Sequence, residues 1–195
     1  IKKLNKKNLI DKKSYINNFS GKLSYNDFQA SNANLTGILS DNKKFKFTIN
    51  SAENSKVTTL FIENAEPVIS RYKFVKGFEE GILDFNSINE NNETRSILKI
   101  YNFKLKELPT LTKILTLASL QGIADILSGE GIRFNEFEMK FKSKKNLMTI
   151  DEIYAIGPAI SILMDGYVEK DKLISLRGTL VPATTINKVI GSIPL

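Results

Sequence analysis

The chain has 195 residues, of which 42% are hydrophobic and 25% are charged, with 28 Lys and Arg against 21 Asp and Glu. It contains no Cys and no His. Those absences exclude disulfides, thiolate or imidazole metal sites, and every catalytic arrangement that needs a Cys or His side chain. The length and apolar fraction fit one globular domain or one segment of a longer protein.

The excess positive charge is concentrated at the N-terminus, where residues 1–13 contain six Lys and one Asp. The remainder is nearly neutral, so the sequence predicts no nucleic-acid partner. The Lys cluster reflects either the codon bias of an AT-rich genome or attraction to an anionic membrane surface, worth about 1 kcal/mol per Lys close to that surface. We expect residues 1–18 to be a basic lead-in from a preceding segment. Residues 19–195 are expected to form a single domain, in a chain truncated at both ends.

Short alternating runs dominate the sequence. Phe45, Phe47 and Ile49 alternate with polar residues, which is typical of a strand with one apolar face. The pattern recurs at Phe137, Met139 and Phe141, then at Ile160, Ile162 and Met164, and then at Ile174, Leu176 and Leu180. Weaker candidates are 19–29, 33–39, 56–63, 80–87, 95–105 and 147–156. Together with the intervening turn residues, these runs predict about ten strands in an antiparallel meander.

One segment breaks the alternation. Pro109 and Gly129 stand where a helix begins and ends, and they predict one apolar helix or helix pair at about 110–128. Its apolar positions include Leu111, Ile114, Leu115, Leu117, Leu120 and Leu127. This helix either caps a groove or packs as ordinary core. Shorter helical turns are expected within 66–74 and 184–192.

The apolar face of such a sheet needs a cover. A helix of about 18 residues is only about 27 Å long and too narrow to cover ten strands. Either the sheet curls on itself, or part of its face is left for something else. We therefore expect a mainly β fold, a curled antiparallel meander sheet that is groove-like and open-ended, with the apolar helix beside it.

Several motifs in the second half of the chain resemble one family. They are the run from Leu115 to Phe134, Gly157-Pro158, Asp165-Gly166, Leu176 to Ala183, Ile186-Asn187 and Ile193-Pro194-Leu195. The order resembles the C-terminal region of AsmA-like proteins, the superfamily of Gram-negative bacteria that includes YhdP and TamB. The resemblance is strongest over 108–195. It extends more loosely over 60–107.

This resemblance implies a non-enzymatic segment of an inner-membrane-anchored bridge protein in the periplasm. Members of the family are implicated in moving phospholipids toward the outer membrane through an apolar β-groove. The implied partners are phospholipid, the membrane through parts of the parent chain outside this fragment, and an envelope protein. No cofactor or metal is implied. The alternative is a structural module for envelope assembly, which docks neighbouring segments or partners by its strand edges.

The alternating apolar residues therefore have two interpretations, a lipid-facing strip or an ordinary sandwich core. The residues predicted to face lipid are Phe45, Phe47, Ile49, Phe137, Met139, Phe141, Ile160, Ile162, Met164, Ile174 and Leu176. The residues predicted to cap the groove are the six named above in the 110–128 helix, Leu111, Ile114, Leu115, Leu117, Leu120 and Leu127. Three pairs of neighbouring carboxylates, Glu79-Glu80, Glu136/Glu138 and Asp151-Glu152, are the remaining candidates for hydrolytic chemistry, and we expect them to be solvated instead.

Overall fold

The computed structural model describes residues 16–26, 29–39, 41–70, 77–106 and 129–182. They form a single ten-stranded antiparallel sheet, in which every strand pairs with its neighbours in the sequence. The strands are β1 (Ile16–Asn26), β2 (Gln29–Leu39), β3 (Lys44–Ser51), β4 (Ser55–Ile62), β5 (Phe78–Glu90), β6 (Glu93–Leu105), β7 (Ile132–Lys144), β8 (Leu147–Ile156), β9 (Ile160–Glu169) and β10 (Leu173–Pro182). The predicted mainly β fold, an open antiparallel meander, is confirmed.

Turn chemistry explains why consecutive strands pair. Glu90 of β5 is paired with Glu93 of β6, so Asn91 and Asn92 alone make the turn. Both have positive φ, 50° and 62°, as a two-residue type I′ hairpin requires, and Asn tolerates that conformation. Such a turn matches the right-handed twist of its strands. It therefore fixes the register of β5 against β6, two of the three longest strands in the sheet.

The sheet is open and uncurled, so the expected curl is not part of the fold. Within the described ranges, β1 pairs only with β2, and β10 pairs only with β9. Alternation specifies which side chains share a face, but bulges and local twist set curvature. Register shifts occur in the β1–β2, β7–β8 and β8–β9 ladders, and they do not bring the two edges together.

The core lies at the end of the sheet where the longest connections, 63–77 and 106–131, leave the strands. Phe103 stacks between Phe78 and Phe134, with centroid separations of 5.3 Å on each side. A single helical turn, α1 (Glu66–Ile69), sits beside them and contributes Val68 and Ile69 to the packing. It confirms the first part of the helical turn expected within 66–74.

The apolar helix expected at about 110–128 lies outside the described residues, and so do Leu111, Ile114, Leu115, Leu117, Leu120 and Leu127. The same is true of residues 1–15 of the basic lead-in and of the turn expected within 184–192. β1 begins at Ile16, two residues before the expected end of that lead-in. In the ranges given above, no helix has the length and hydropathy that crossing a membrane requires.

Candidate functional site

The pairing register places apolar side chains together on one side of the sheet. We call this side the apolar face, and it consists of the side chains that point to the same side as Phe47. Phe47 pairs with Leu35 on one side and Leu60 on the other, and the pairing continues strand by strand. The resulting Phe47 row crosses eight strands through Leu35, Phe47, Leu60, Phe85, Leu98, Met139, Ile153 and Met164. At a strand spacing of about 4.8 Å, it extends for about 34 Å.

Every member of the Phe47 row is half-buried. The next row toward the core is covered more fully, since Ile62, Leu83 and Ile100 are each less than 9% exposed. On its other side the next row is also partly closed, since Ile49, Ser96 and Ile150 are each less than 9% exposed. The Phe47 row is thus a strip of half-buried apolar side chains between two rows that contain buried ones. A long apolar molecule that lay across the strands along this row would contact its successive side chains.

All eleven residues predicted to face lipid lie on the apolar face, although they differ in accessibility. Phe47, Met139 and Met164 belong to the Phe47 row. Phe45, Phe137 and Ile162 lie one row nearer the core, whereas Ile49, Phe141, Leu176 and Ile174 lie on the opposite side of the Phe47 row. Ile160 is fully buried within the core cluster, so its side chain is closed to any ligand. Sequence periodicity placed it correctly on the face but could not reveal its cover.

The other side of the sheet is the charged face, defined by the side chains that share a face with Lys99 and Glu138. Lys99 Nζ lies 2.7 Å from Oε2 of Glu138, and Lys140 Nζ bridges Glu138 and Glu152 at 3.0 and 2.9 Å. Hydrogen bonds from the two lysines hold the pKa of Glu138 below its ordinary value. The bond to Glu138 raises the pKa of Lys99, and the bonds to Glu152 and then Glu138 raise the pKa of Lys140.

The three carboxylate pairs considered for hydrolysis are held by cations or a phenol. Glu79 accepts from Lys106 at 2.6 Å, Glu80 from Arg133 at 2.9 Å and Asp151 from Lys142 at 2.9 Å. The Tyr154 hydroxyl donates to Glu136 at 2.7 Å, which raises the pKa of Tyr154 to about 12. Most of these carboxylates therefore pair with side chains of a neighbouring strand, whereas Glu80 of β5 reaches Arg133 of β7 across β6. In the part of the chain that the structure describes, no three acidic side chains are grouped to hold a metal ion.

A shallow depression on the charged face is lined by Thr149, Tyr167 and Ser175 together with the ion pair between Arg177 and Asp165. The register places these side chains on the opposite face from the Phe47 row. This depression therefore gives no access to the apolar face.

Sequence reasoning missed a polar patch within the apolar face. On β5 and β6 the same face continues from Phe85 and Leu98 to Ser87 and Ser96, whose hydroxyls are 2.9 Å apart. One pair further, Asn89 donates to Thr94 at 2.6 Å. The sequence contains a signal for this patch, because positions 83, 85, 87 and 89 are two residues apart and therefore point to the same side of one strand. A prediction based on apolar residues alone does not include Ser87 and Asn89.

The fold and this face together define an open, two-faced antiparallel sheet, and among the described residues no second sheet packs on the apolar side. Comparison with known proteins finds no matching family model, no similar curated protein and no similar solved structure.

Proposed function

We propose that this chain is a non-enzymatic lipid-carrying segment, on which phospholipid acyl chains lie along the Phe47 row. The observation that carries this proposal is the continuity of the row, with eight apolar side chains on eight successive strands and no charged residue among them. In the same proposal, the parent protein is anchored in the inner membrane and crosses the periplasm toward the outer membrane, as the AsmA-like resemblance implies.

The physical basis is partition. Each buried CH₂ group is worth about 0.8 kcal/mol, so transferring a 16-carbon chain into water costs about 13 kcal/mol. A continuous apolar row reduces this cost at every position along the path. An open sheet covers a bound acyl chain from one side only. The two chains of one lipid must therefore also cover each other, while neighbouring segments supply the rest of the cover.

The openness of the sheet has a functional consequence in this proposal. A lipid can reach the Phe47 row laterally, without threading through the mouth of a closed barrel. The charged face, with its ion pairs between neighbouring strands, stays in water and keeps the two faces distinct. Movement along the row needs no bond to be made or broken.

The experiment is photo-crosslinking from single positions in the parent protein, purified from cells. A photoreactive residue at position 47, 139 or 162 faces the apolar side, whereas one at position 61 or 163 faces the charged side. Phe61 and Leu163 are matched controls, because both are apolar and exposed. We expect phospholipid adducts from the first set and none from the controls. Adducts to protein alone from 47, 139 and 162 would reject the proposal.

A second candidate function rests on the sheet edges. Along β10, Ile174 is 68% exposed and Leu176 is 42% exposed, and of the described strands only β9 pairs with it. Such an edge can add a strand from a neighbouring segment or an envelope protein. The test is amide hydrogen exchange in the parent protein and in this chain alone. Edge docking predicts slow exchange at alternate β10 amides only in the parent, and equally fast exchange in both would reject it.

The variant Phe47→Asp separates the two functions. Phe47 is half-buried on the accessible side of the core. If the row carries lipid, the variant stays folded but loses phospholipid adducts from position 139. If the chain is instead a structural module that docks by its edges, protein closes the apolar face in the assembled molecule. The carboxylate that the substitution introduces is then buried without a partner, and it prevents folding or assembly.

A further inference from the structure

The apolar face contains one polar island, defined as Lys56, Thr58, Ser87, Asn89, Thr94 and Ser96. These residues lie on the three central strands β4, β5 and β6, in two adjacent rows on one side of the Phe47 row. Three strands span about 10 Å. In the same two rows, Ser51 of β3 and Ser143 of β7 flank the island, and β8 and β9 carry Ile150, Met148 and Val168, so the polar character is confined to part of the face.

The side chains of the apolar face become more polar along the strands with increasing distance from the core. Proceeding from the core along β5 and β6, the facing pairs are Leu83 with Ile100, Phe85 with Leu98, Ser87 with Ser96, and Asn89 with Thr94. The serine hydroxyls are bonded to each other at 2.9 Å, although both residues are less than 9% exposed. Whichever serine donates, the other keeps its own O–H for a further acceptor.

Lys56 gives the island its charge. It is paired with Asn89 on one side and Ser51 on the other, both on the apolar face. It is half-buried. No carboxylate of the described residues lies within ion-pair distance of Lys56, which is also true of Lys46, but Lys56 lies on the apolar face and Lys46 on the charged face. A cation on an apolar surface that lacks an internal anion is complementary to an anionic ligand group.

We infer that the polar island holds the phosphate of the carried phospholipid, with Lys56 as its cationic contact and the acyl chains on the adjacent Phe47 row. This inference rests on the proposed function and adds a fixed orientation of the lipid on the sheet. The amphiphile has one polar end and one apolar end, and the face presents the same two chemistries side by side. Thr58, Asn89 and Thr94 supply hydroxyl and amide donors to the phosphate oxygens.

The test compares two lipids with identical chains, dioleoyl phosphatidylglycerol and dioleoylglycerol, which lacks the phosphate. Binding of each to the whole chain is measured by displacement of a fluorescent fatty acid. Lys56→Gln removes the charge, and Lys46→Gln is the matched control, since Lys46 is exposed and lies on the charged face of neighbouring β3. We expect Lys56→Gln to weaken phosphatidylglycerol binding about fivefold, with dioleoylglycerol binding unchanged. Lys46→Gln should change neither.

The possible results separate this inference from the proposed function. If the wild-type chain binds neither lipid, the proposed function fails and the inference fails with it. If both lipids bind and Lys56→Gln changes neither affinity, the headgroup site is wrong while lipid carriage stands. If Lys56→Gln weakens both lipids equally, or Lys46→Gln matches its effect on phosphatidylglycerol, Lys56 does not contact the phosphate specifically, and the inference is overturned.

Discussion

Lys99 and Glu138 face each other across β6 and β7, and the lysine Nζ lies 2.7 Å from the carboxylate Oε2. Lys140, on the same strand as Glu138, contacts the other oxygen at 3.0 Å. Glu138 is only 6% exposed, which is unusual for a carboxylate on the polar side of a sheet. Because both of its oxygens are bonded to cations, burial of this charge is compensated, and the pair fixes the register of β6 against β7.

The pKa of Glu138 predicts an acid-dependent loss of stability. The pKa of Glu138 in the folded protein lies below its ordinary value of 4.5. The ionised side chain therefore contributes fully to the free energy of unfolding above about pH 4.5, and this contribution is lost as the pH falls through the folded pKa. We expect the free energy of unfolding to fall more steeply for the wild type than for Glu138→Gln as the pH falls from about 5 to about 3. Urea unfolding across this range measures it, with exposed Glu90→Gln as the control. Parallel profiles for wild type and Glu138→Gln would contradict the prediction.

The aromatic stack predicts the largest loss from a single truncation. Phe103 is 3% exposed and stacks on both Phe78 and Phe134. Phe103→Ala should lower the free energy of unfolding by about 3–5 kcal/mol, because it removes buried area and leaves a cavity. Ile97→Ala, on the charged face of the same strand and 39% exposed, should cost less than about 1 kcal/mol. Similar losses for the two variants in chemical denaturation would show that the core is elsewhere.

Gly81 predicts a backbone requirement beside α1. Its φ is +86°, and a Cβ there would lie 3.0 Å from Phe78 Cζ and 3.1 Å from Phe103 Cβ. Its carbonyl also accepts the Ala65 N–H that anchors α1, at 2.7 Å. Gly81→Ala should therefore destabilise the fold by about 1–3 kcal/mol. Thermal and chemical unfolding measure this, and an unchanged midpoint would show that the backbone there relaxes freely.

The serine pair predicts a coupling between two neutral side chains. Ser87→Ala alone leaves the Ser96 hydroxyl buried without its partner, at a cost of about 1–3 kcal/mol. Adding Ser96→Ala should cost much less than the second single change alone, because no unpaired hydroxyl remains. A double-mutant cycle on the free energy of unfolding measures the coupling. Additive losses would mean that the hydroxyls do not stabilise each other.

The interpretation of β3 shows why so much of the sheet could be predicted. Phe45, Phe47 and Ile49 point one way and Lys44 and Lys46 the other, because side chains alternate along any strand. The same rule predicted β8 at residues 147–156, where the structure has Leu147–Ile156. Strand extents at β5 and β6 were predicted too short, because the turn at Asn91-Asn92 lets pairing continue to the last residue on each side.

The candidate site was predicted only in part. Ile160 and Phe47 have the same alternating pattern, yet one is fully buried in the core and the other belongs to the accessible row. Burial depends on which distant segments pack against a residue, and periodicity carries no information on that. Lys56 was missed for a related reason. A single lysine near a strand end looks solvated until the register places it beside Asn89 on the apolar face.

The sequence by itself determined the order of the strands, the two-faced character of the sheet and the membership of the apolar face. These follow from alternation and turn chemistry, which are local properties of the backbone. Only the tertiary structure decided that the sheet stays open, that its core gathers at one end, and that hydroxyls and Lys56 occupy the apolar face of the central strands toward their other end. Those features arise from register and from packing between residues far apart in the chain, and a one-residue change in register would have exchanged the two faces.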